Sequence, residues 1–123
     1  MSGCVFCTIP EAQIVAANPL AFALFDIAPV TLLHMLVLPR RHVALWFDPT
    51  GAEKAAIDAL LIACRRDILA RDPAVRGFNI AVNIGAAAGQ TIAHCHVHLV
   101  PRRAGDGKGV VLDGRAKRLI AAD

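Results

Sequence analysis

The sequence has little net charge, no long uninterrupted apolar run, no internal repeat, no low-complexity tract and no linker that would divide it. Lys and Arg number 13 against 10 Asp and Glu, a balance of +3 scattered from Arg40 to Arg118. That is too mild and too dispersed for a nucleic-acid surface, although it suits small anionic ligands such as phosphate-bearing metabolites. A membrane helix needs about 20 consecutive apolar residues, and the apolar stretch over 14–25 is broken by Asn18 and Pro19; no membrane partner is expected. The N-terminus lacks a basic region leading into an apolar run and a cleavage site, so a cytoplasmic location is expected. In that setting the four cysteines point to metal binding or reduced thiols rather than to a disulfide framework.

What is present suffices for one domain over 1–123. With 56% hydrophobic residues in 123, the chain can bury most of its apolar surface without covalent staples. Ala21-Phe22-Ala23-Leu24-Phe25 is a short apolar run closed by Asp26-Ile27-Ala28-Pro29, which predicts a buried strand and a turn. The run over 32–38, interrupted by His34 and stopped by Pro39, predicts a second strand. Thr50-Gly51-Ala52-Glu53 has capping-box spacing, so a helix should start there. Its apolar face, Ile57, Leu60, Leu61, Cys64 and Ile68, recurs every three or four residues as far as Pro73 and must cover a sheet. A further strand is expected over 78–84, with Asn79 and Asn83 as its polar positions. Segment 104–123 opens on the turn-like Ala104-Gly105-Asp106-Gly107-Lys108-Gly109 and reads as a flexible loop and tail, with a short helix within 112–122. The expected architecture is α+β, a mostly antiparallel sheet of about five strands with one long helix across a face.

The chemistry concentrates in His94-Cys95-His96-Val97-His98, preceded by Gly89-Gln90-Thr91. Histidines at alternate positions of a strand fall on one face. A single metal ion cannot readily collect all of them: alternate residues lie about 6.6 Å apart and His94 to His98 about 13 Å, against Zn–N bonds of about 2.0–2.1 Å. At most two could share an ion. Nucleophilic catalysis is the other use, because a neutral imidazole with a pKa of about 6.5 is competent near neutrality once a neighbour fixes its tautomer. Attack on phosphorus fits best, since phosphoryl oxygens need several donors and the Gly-Gln-Thr loop offers backbone N–H groups and a hydroxyl.

Gly89-Gln90-Thr91-Ile92-Ala93-His94-Cys95-His96-Val97-His98-Leu99-Val100 closely resembles the signature of the histidine triad (HIT) superfamily, His-φ-His-φ-His-φ-φ with φ apolar. The resemblance extends to Cys4-Val5-Phe6-Cys7, to Leu24-Phe25-Asp26-Ile27-Ala28-Pro29, to the segment from His34 through Pro39 to His42, and to Asn83. It implies a HIT-like fold and a homodimeric nucleotide hydrolase or transferase that attacks the α-phosphate of a nucleoside monophosphate conjugate. His96 would be the nucleophile forming a nucleotidyl-histidine, His98 would bind the α-phosphate, and His34 would support them from the adjacent strand. Asn83, Gly89, Gln90 and Thr91 match positions at the phosphate or leaving group. Asp26 matches the acceptor of the ribose hydroxyls, and Val5, Phe6, Ile9, Leu24 and Ile27 match the walls of the base pocket.

The resemblance also implies a structural zinc held by Cys4, Cys7, His42 and His94, a chemically complete tetrahedral set. A nucleoside phosphoramidate is the first expected substrate, a dinucleoside polyphosphate the nearest rival, and a non-catalytic nucleotide-binding adaptor the alternative of another class. One departure stands out. Where related chains often carry Pro-Gly just before the histidine matching His34, this one has Leu32-Leu33.

Overall fold

A computed structural model describes residues 3–106, 109–111 and 118–120. Five strands form one sheet: β1 (Ala16–Ala17), β2 (Ala21–Phe25), β3 (Met35–Pro39), β4 (Gly77–Ala81) and β5 (Val97–Arg102). Their order is β1-β2-β3-β5-β4, and every neighbouring pair is antiparallel. The long helix α1 (Gly51–Arg71) crosses one face. The architecture is the α+β arrangement expected from the sequence.

Period-two alternation sorts the strands' side chains between two cores. Ala21, Ala23, Met35, Val37, Val97 and Leu99 face α1, where they meet Ile57, Leu60, Cys64 and Ile68. Phe22, Leu24, Leu36 and Leu38 face the other way and are covered by Phe6, Cys4, Ile9 and Ile14 of the N-terminal segment. Registers of Leu36 with His98 and Val37 with Val97 carry the same alternation into β5, so His98 sits on the face that the N-terminal segment covers. Burying each large aliphatic side chain contributes roughly 1.5–3 kcal/mol, which is what holds α1 on a strand surface of small and medium residues.

Helix α1 begins as its sequence prescribes. Glu53 N–H donates to Thr50 Oγ1 at 3.1 Å, and Thr50 N–H donates to the Glu53 carboxylate at 2.9 Å. Arg41 adds a bidentate pair to that carboxylate at 2.7 and 3.1 Å. The buried face is Glu53, Ile57, Leu60, Cys64 and Ile68, while Leu61 is half-buried. Among the described residues no helix is long and apolar enough to cross a membrane.

Strand boundaries differ from the sequence reading where turns intervene. The run over 32–38 does not begin as a strand: Leu33 adopts φ 70°, His34 N–H closes a turn on Thr31 O at 3.2 Å, and pairing starts only at Met35. Pairing of β4 stops at Ala81, short of Asn83. Of the three triad histidines only His98 lies within β5; His94 and His96 precede it. Their segment is pinned by Cys95 N–H donating to Val43 O at 2.7 Å. A helix within 112–122 is corrected over its described part, because Arg118–Ile120 is a strand, β7, antiparallel to β6 (Gly109–Val111). Val110, Val111 and Ile120 are β-branched and favour extended backbone over helix. Residues 107–108, 112–117 and 121–123, where the remainder of the expected helix and tail falls, lie outside the described residues.

Candidate nucleotide site and metal cluster

Hydrogen bonds fix the tautomer of each buried imidazole. Val30 N–H donates to His34 Nδ1 at 3.0 Å, so the proton of neutral His34 sits on Nε2. Nε2 faces His98 Nδ1 at 3.0 Å and therefore donates to it. Neutral His98 must then carry its proton on Nε2, as a donor. His96 is set in the opposite sense: its Nδ1 lies 2.8 Å from the carbonyl oxygen of His94, to which only an N–H can bond. Its lone pair is on Nε2. In their neutral forms these neighbouring imidazoles, with ring centroids 5.2 Å apart, thus present a lone pair on one Nε2 and a proton on the other.

Asp26 stands behind this pair. One carboxylate oxygen accepts from Ala28 N–H at 2.9 Å, and the other lies 3.6 Å from His34 Nε2 and 3.9 Å from His98 Nδ1. A carboxylate there stabilises positive charge developing on the imidazoles when a proton arrives. The sequence reading reserved Asp26 for the ribose and missed this contact, since nothing in the spacing of Asp26, His34 and His98 shows that their side chains converge.

A cavity of about 420 Å³ opens in front of the histidines. It is lined by the apolar Val5, Phe6, Ile9, Leu24 and Ile27, by Asn83, Gly89, Thr91, His96 and His98, and by Asp26. Phe25, Leu36, Ile92 and the exposed amide of Gln13 also line it. Leu36 could have been found from its register with the histidine strand, whereas Gln13 carries no signal in the sequence. His34 is fully buried behind His98 and does not reach the cavity.

His94 faces away from this chemistry. Its Nε2 lies 2.8 Å from Pro39 O and so carries the proton, leaving the Nδ1 lone pair toward Cys4 Sγ and Cys7 Sγ, 3.6 Å from each. His42 Nδ1 lies 3.2 Å from Cys7 Sγ, and the four ligand atoms are all within 4.8 Å of one another. Around a tetrahedral zinc with Zn–S of about 2.3 Å and Zn–N of about 2.0–2.1 Å, sulfur and nitrogen ligands stand about 3.6 Å apart. These residues fit such an ion. Burial also pushes the His94 imidazole below its ordinary pKa, so it is neutral and able to ligate at pH 7, and the bond to Pro39 O orients the ring as ligand-supporting hydrogen bonds do.

Residues 9–105 match the HIT domain family model. The chain belongs to the HIT family. The AP-4-A phosphorylase of Mycobacterium tuberculosis is 33% identical over 108 residues, covering 87% of this chain and 55% of that protein. The nitrilase and fragile histidine triad fusion protein NitFhit of Caenorhabditis elegans is 39% identical over 99 residues, 80% of this chain but 22% of its own length. This HIT domain thus spans about half or less of those curated relatives. A zinc-bound histidine triad family protein from Mycobacterium smegmatis superposes with a TM-score of 0.77 at 35% identity, covering 85% of this chain and 78% of that one.

The loop that presents the HIT histidines is built from backbone. Gly85 at φ 88° and Gly89 at φ 91° occupy conformations that side chains resist. Between them Ala86–Ala88 forms one 3-10 turn. Gln90, expected at the phosphate, is turned to the loop itself: its amide oxygen accepts from Gly85 N–H at 2.8 Å, and its nitrogen donates to Ala44 O at 2.7 Å and Ile92 O at 3.0 Å. It holds Gly89 and Thr91 at the cavity rim. Asn83, beside them, donates to Ala88 O at 2.7 Å.

Proposed function

We propose that this HIT domain is a nucleotide hydrolase or transferase that cleaves a nucleoside monophosphate conjugate at its α-phosphorus. The observation that carries the reading is the opposed pair of tautomers, with the His96 lone pair on Nε2 and the His98 proton on Nε2, in the lining of a cavity that also has apolar walls. The base packs against the apolar walls, the ribose hydroxyls reach Asp26, and the phosphate lies against His98 and the N–H groups of the Gly89–Thr91 rim. His96 Nε2 attacks phosphorus, a nitrogen–phosphorus bond forms, and the bond to the leaving group breaks as the leaving atom takes the His98 Nε2 proton, which the attacking water of the second step replaces. Positive charge on the His96 ring is spread through its Nδ1–H to the His94 carbonyl. Water then attacks the same phosphorus, the nitrogen–phosphorus bond breaks, and the nucleoside monophosphate and neutral His96 are restored. Cys4, Cys7, His42 and His94 would hold a zinc ion in a closed site, where it would supply structural cross-linking, and the bond-making groups of this reading are the imidazoles.

Two leaving groups compete. The name of the Mycobacterium tuberculosis relative, an AP-4-A phosphorylase, favours a dinucleoside polyphosphate over the phosphoramidate expected first from the family resemblance. Measuring kcat/KM for one compound of each class, with His96→Ala as control, tests both levels. The variant should lose at least about 10³-fold in kcat while keeping its melting temperature. Full activity in the variant would refute the mechanism, and nucleoside monophosphate binding with no turnover of either compound would favour an adaptor.

A homodimer is part of the proposal. Strand β4 is an edge of the sheet and carries Ile80 at 60% exposure, a surface suited to pairing with a second copy. A monomeric mass by light scattering would contradict it.

A further inference from the structure

We propose that Cys4 and Cys7 form a redox site that controls the nucleotide cavity: their oxidation to a disulfide expels the bound cation and withdraws Phe6 and His94 from His96. The inference rests on the nucleotide reading of that cavity and adds a means of regulating it.

The two sulfurs bracket a turn in which Cys7 N–H donates to Cys4 O at 3.2 Å. The residues inside the bracket, Val5 and Phe6, both line the cavity. Phe6 is buried, and its ring stands edge-on to both His94 at 5.9 Å and His96 at 5.1 Å. His94 provides a second link, because its ring joins the sulfur cluster while its carbonyl holds His96 Nδ1 at 2.8 Å. No displacement of the cluster can leave the nucleophile's surroundings unchanged.

Chemistry favours these two thiols over the others. Cys7 is exposed and Cys4 partly so, whereas Cys64 and Cys95 are buried. An aqueous oxidant therefore meets Cys4 and Cys7. With hydrogen peroxide the step balances: two metal-bound thiolates, one peroxide and two protons give one disulfide, two waters and a free divalent cation, with two electrons passing from the sulfurs to the peroxide oxygens. A disulfide brings its sulfurs to about 2.05 Å. The disulfide takes both thiolates from the cation and from the sulfur–imidazole contacts at 3.2 and 3.6 Å, and the turn that carries Val5 and Phe6 moves with its two sulfurs.

The test uses the full, reduced, zinc-loaded chain, treated with hydrogen peroxide. Zinc release is followed with a chromogenic chelator, free thiols are counted, far-UV circular dichroism is recorded, and AMP affinity is measured by calorimetry. One zinc released per two thiols lost, with fold retained and AMP affinity at least about tenfold weaker, recovering with dithiothreitol plus zinc, is the expected result. A folded disulfide form with unchanged AMP affinity, or an oxidised chain that has unfolded, overturns the proposal. Cys7→His keeps four ligands and cannot form the disulfide, so peroxide should leave its own AMP affinity unchanged; a loss there overturns it equally. If the reduced zinc-loaded chain fails to bind AMP, the nucleotide reading falls. The His96 ring nitrogen chemical shifts then decide the redox site, moving on oxidation if the linkage holds and staying fixed if it does not.

Discussion

At the scale of single residues, neutral imidazoles receive different roles from backbone groups that hold no charge. His34 is set by a donor at Val30, His96 by the acceptor at His94, and His94 by the acceptor at Pro39. Identical side chains thus present different ring nitrogens: neutral His34 a proton on Nε2, His96 a lone pair on Nε2, and His94 a lone pair on Nδ1 toward Cys4 and Cys7. Leu33 is the cost of placing His34. Its φ of 70° lies in the left-handed region, where a side chain costs roughly 1–2 kcal/mol and glycine does not. Both Leu33→Gly and Leu33→Ala remove the packing of this half-buried side chain, but only glycine removes the strain. Leu33→Gly should therefore be more stable than Leu33→Ala by about 1 kcal/mol in urea denaturation; equal stabilities would show that the backbone is not strained there.

That His96 and His98 come together was legible in the sequence, because alternate residues of an extended segment share a face even where the ladder has not begun. His94 and His96 precede β5, yet Phe6 still touches both. The engagement of Gln90 with the loop was not legible. A glutamine beside a phosphate site and a glutamine clamping three backbone groups are the same letter, and only Gly85, Ala44 and Ile92 converging on it decides between them.

At the scale of elements, α1 and the loop over 85–91 carry the testable consequences. The Arg41 guanidinium, reinforced by Thr50 N–H, holds the Glu53 carboxyl down at about 2, against about 4.3 in an unfolded chain. A lowered folded-state pKa stabilises above the unfolded value and is lost as pH falls through the folded one. Stability should therefore decline as pH drops from about 4.5 toward 2, and Glu53→Gln should flatten that part of the curve; an unaltered profile would exclude Glu53 as its source. Gln90→Ala leaves a backbone donor and two acceptors without their partner, a loss of about 1–3 kcal/mol measurable by thermal unfolding. A loss well below that would mean that the loop is held by its glycines alone.

Helix α1 was readable to its first residue, since a capping box and an apolar stripe state the same boundary. The start of β3 was not. Hydrophobicity continues through Leu32 and Leu33, but Thr31 Oγ1 donates to Pro101 O at 2.6 Å and fixes a turn that no local pattern announces. Over 112–122 a short helix is expected from the sequence, whereas pairing between Gly109–Val111 and Arg118–Ile120 makes the described part a strand.

At the scale of the molecule, one sheet separates two kinds of work. The α1 face supplies most of the buried aliphatic core, and the opposite face carries the histidines under a lid of N-terminal residues. Cys4, Cys7, His42 and His94 tie that lid to the sheet, so removing zinc from a loaded chain with a strong chelator should lower the melting temperature and weaken AMP binding together. Loss of stability without any change in AMP affinity would confine the ion to a purely structural role.

The most direct measurement of the central claim is peptide mapping by mass spectrometry. The chain is mixed briefly with a dinucleoside polyphosphate or a nucleoside phosphoramidate and quenched in denaturant at alkaline pH, where a nitrogen–phosphorus bond survives. The account predicts a nucleotidyl group on a ring nitrogen of His96, absent from His96→Ala, whose turnover is lost with it. Turnover by a folded His96→Ala chain, or a nucleotidyl group on any other residue, would contradict it.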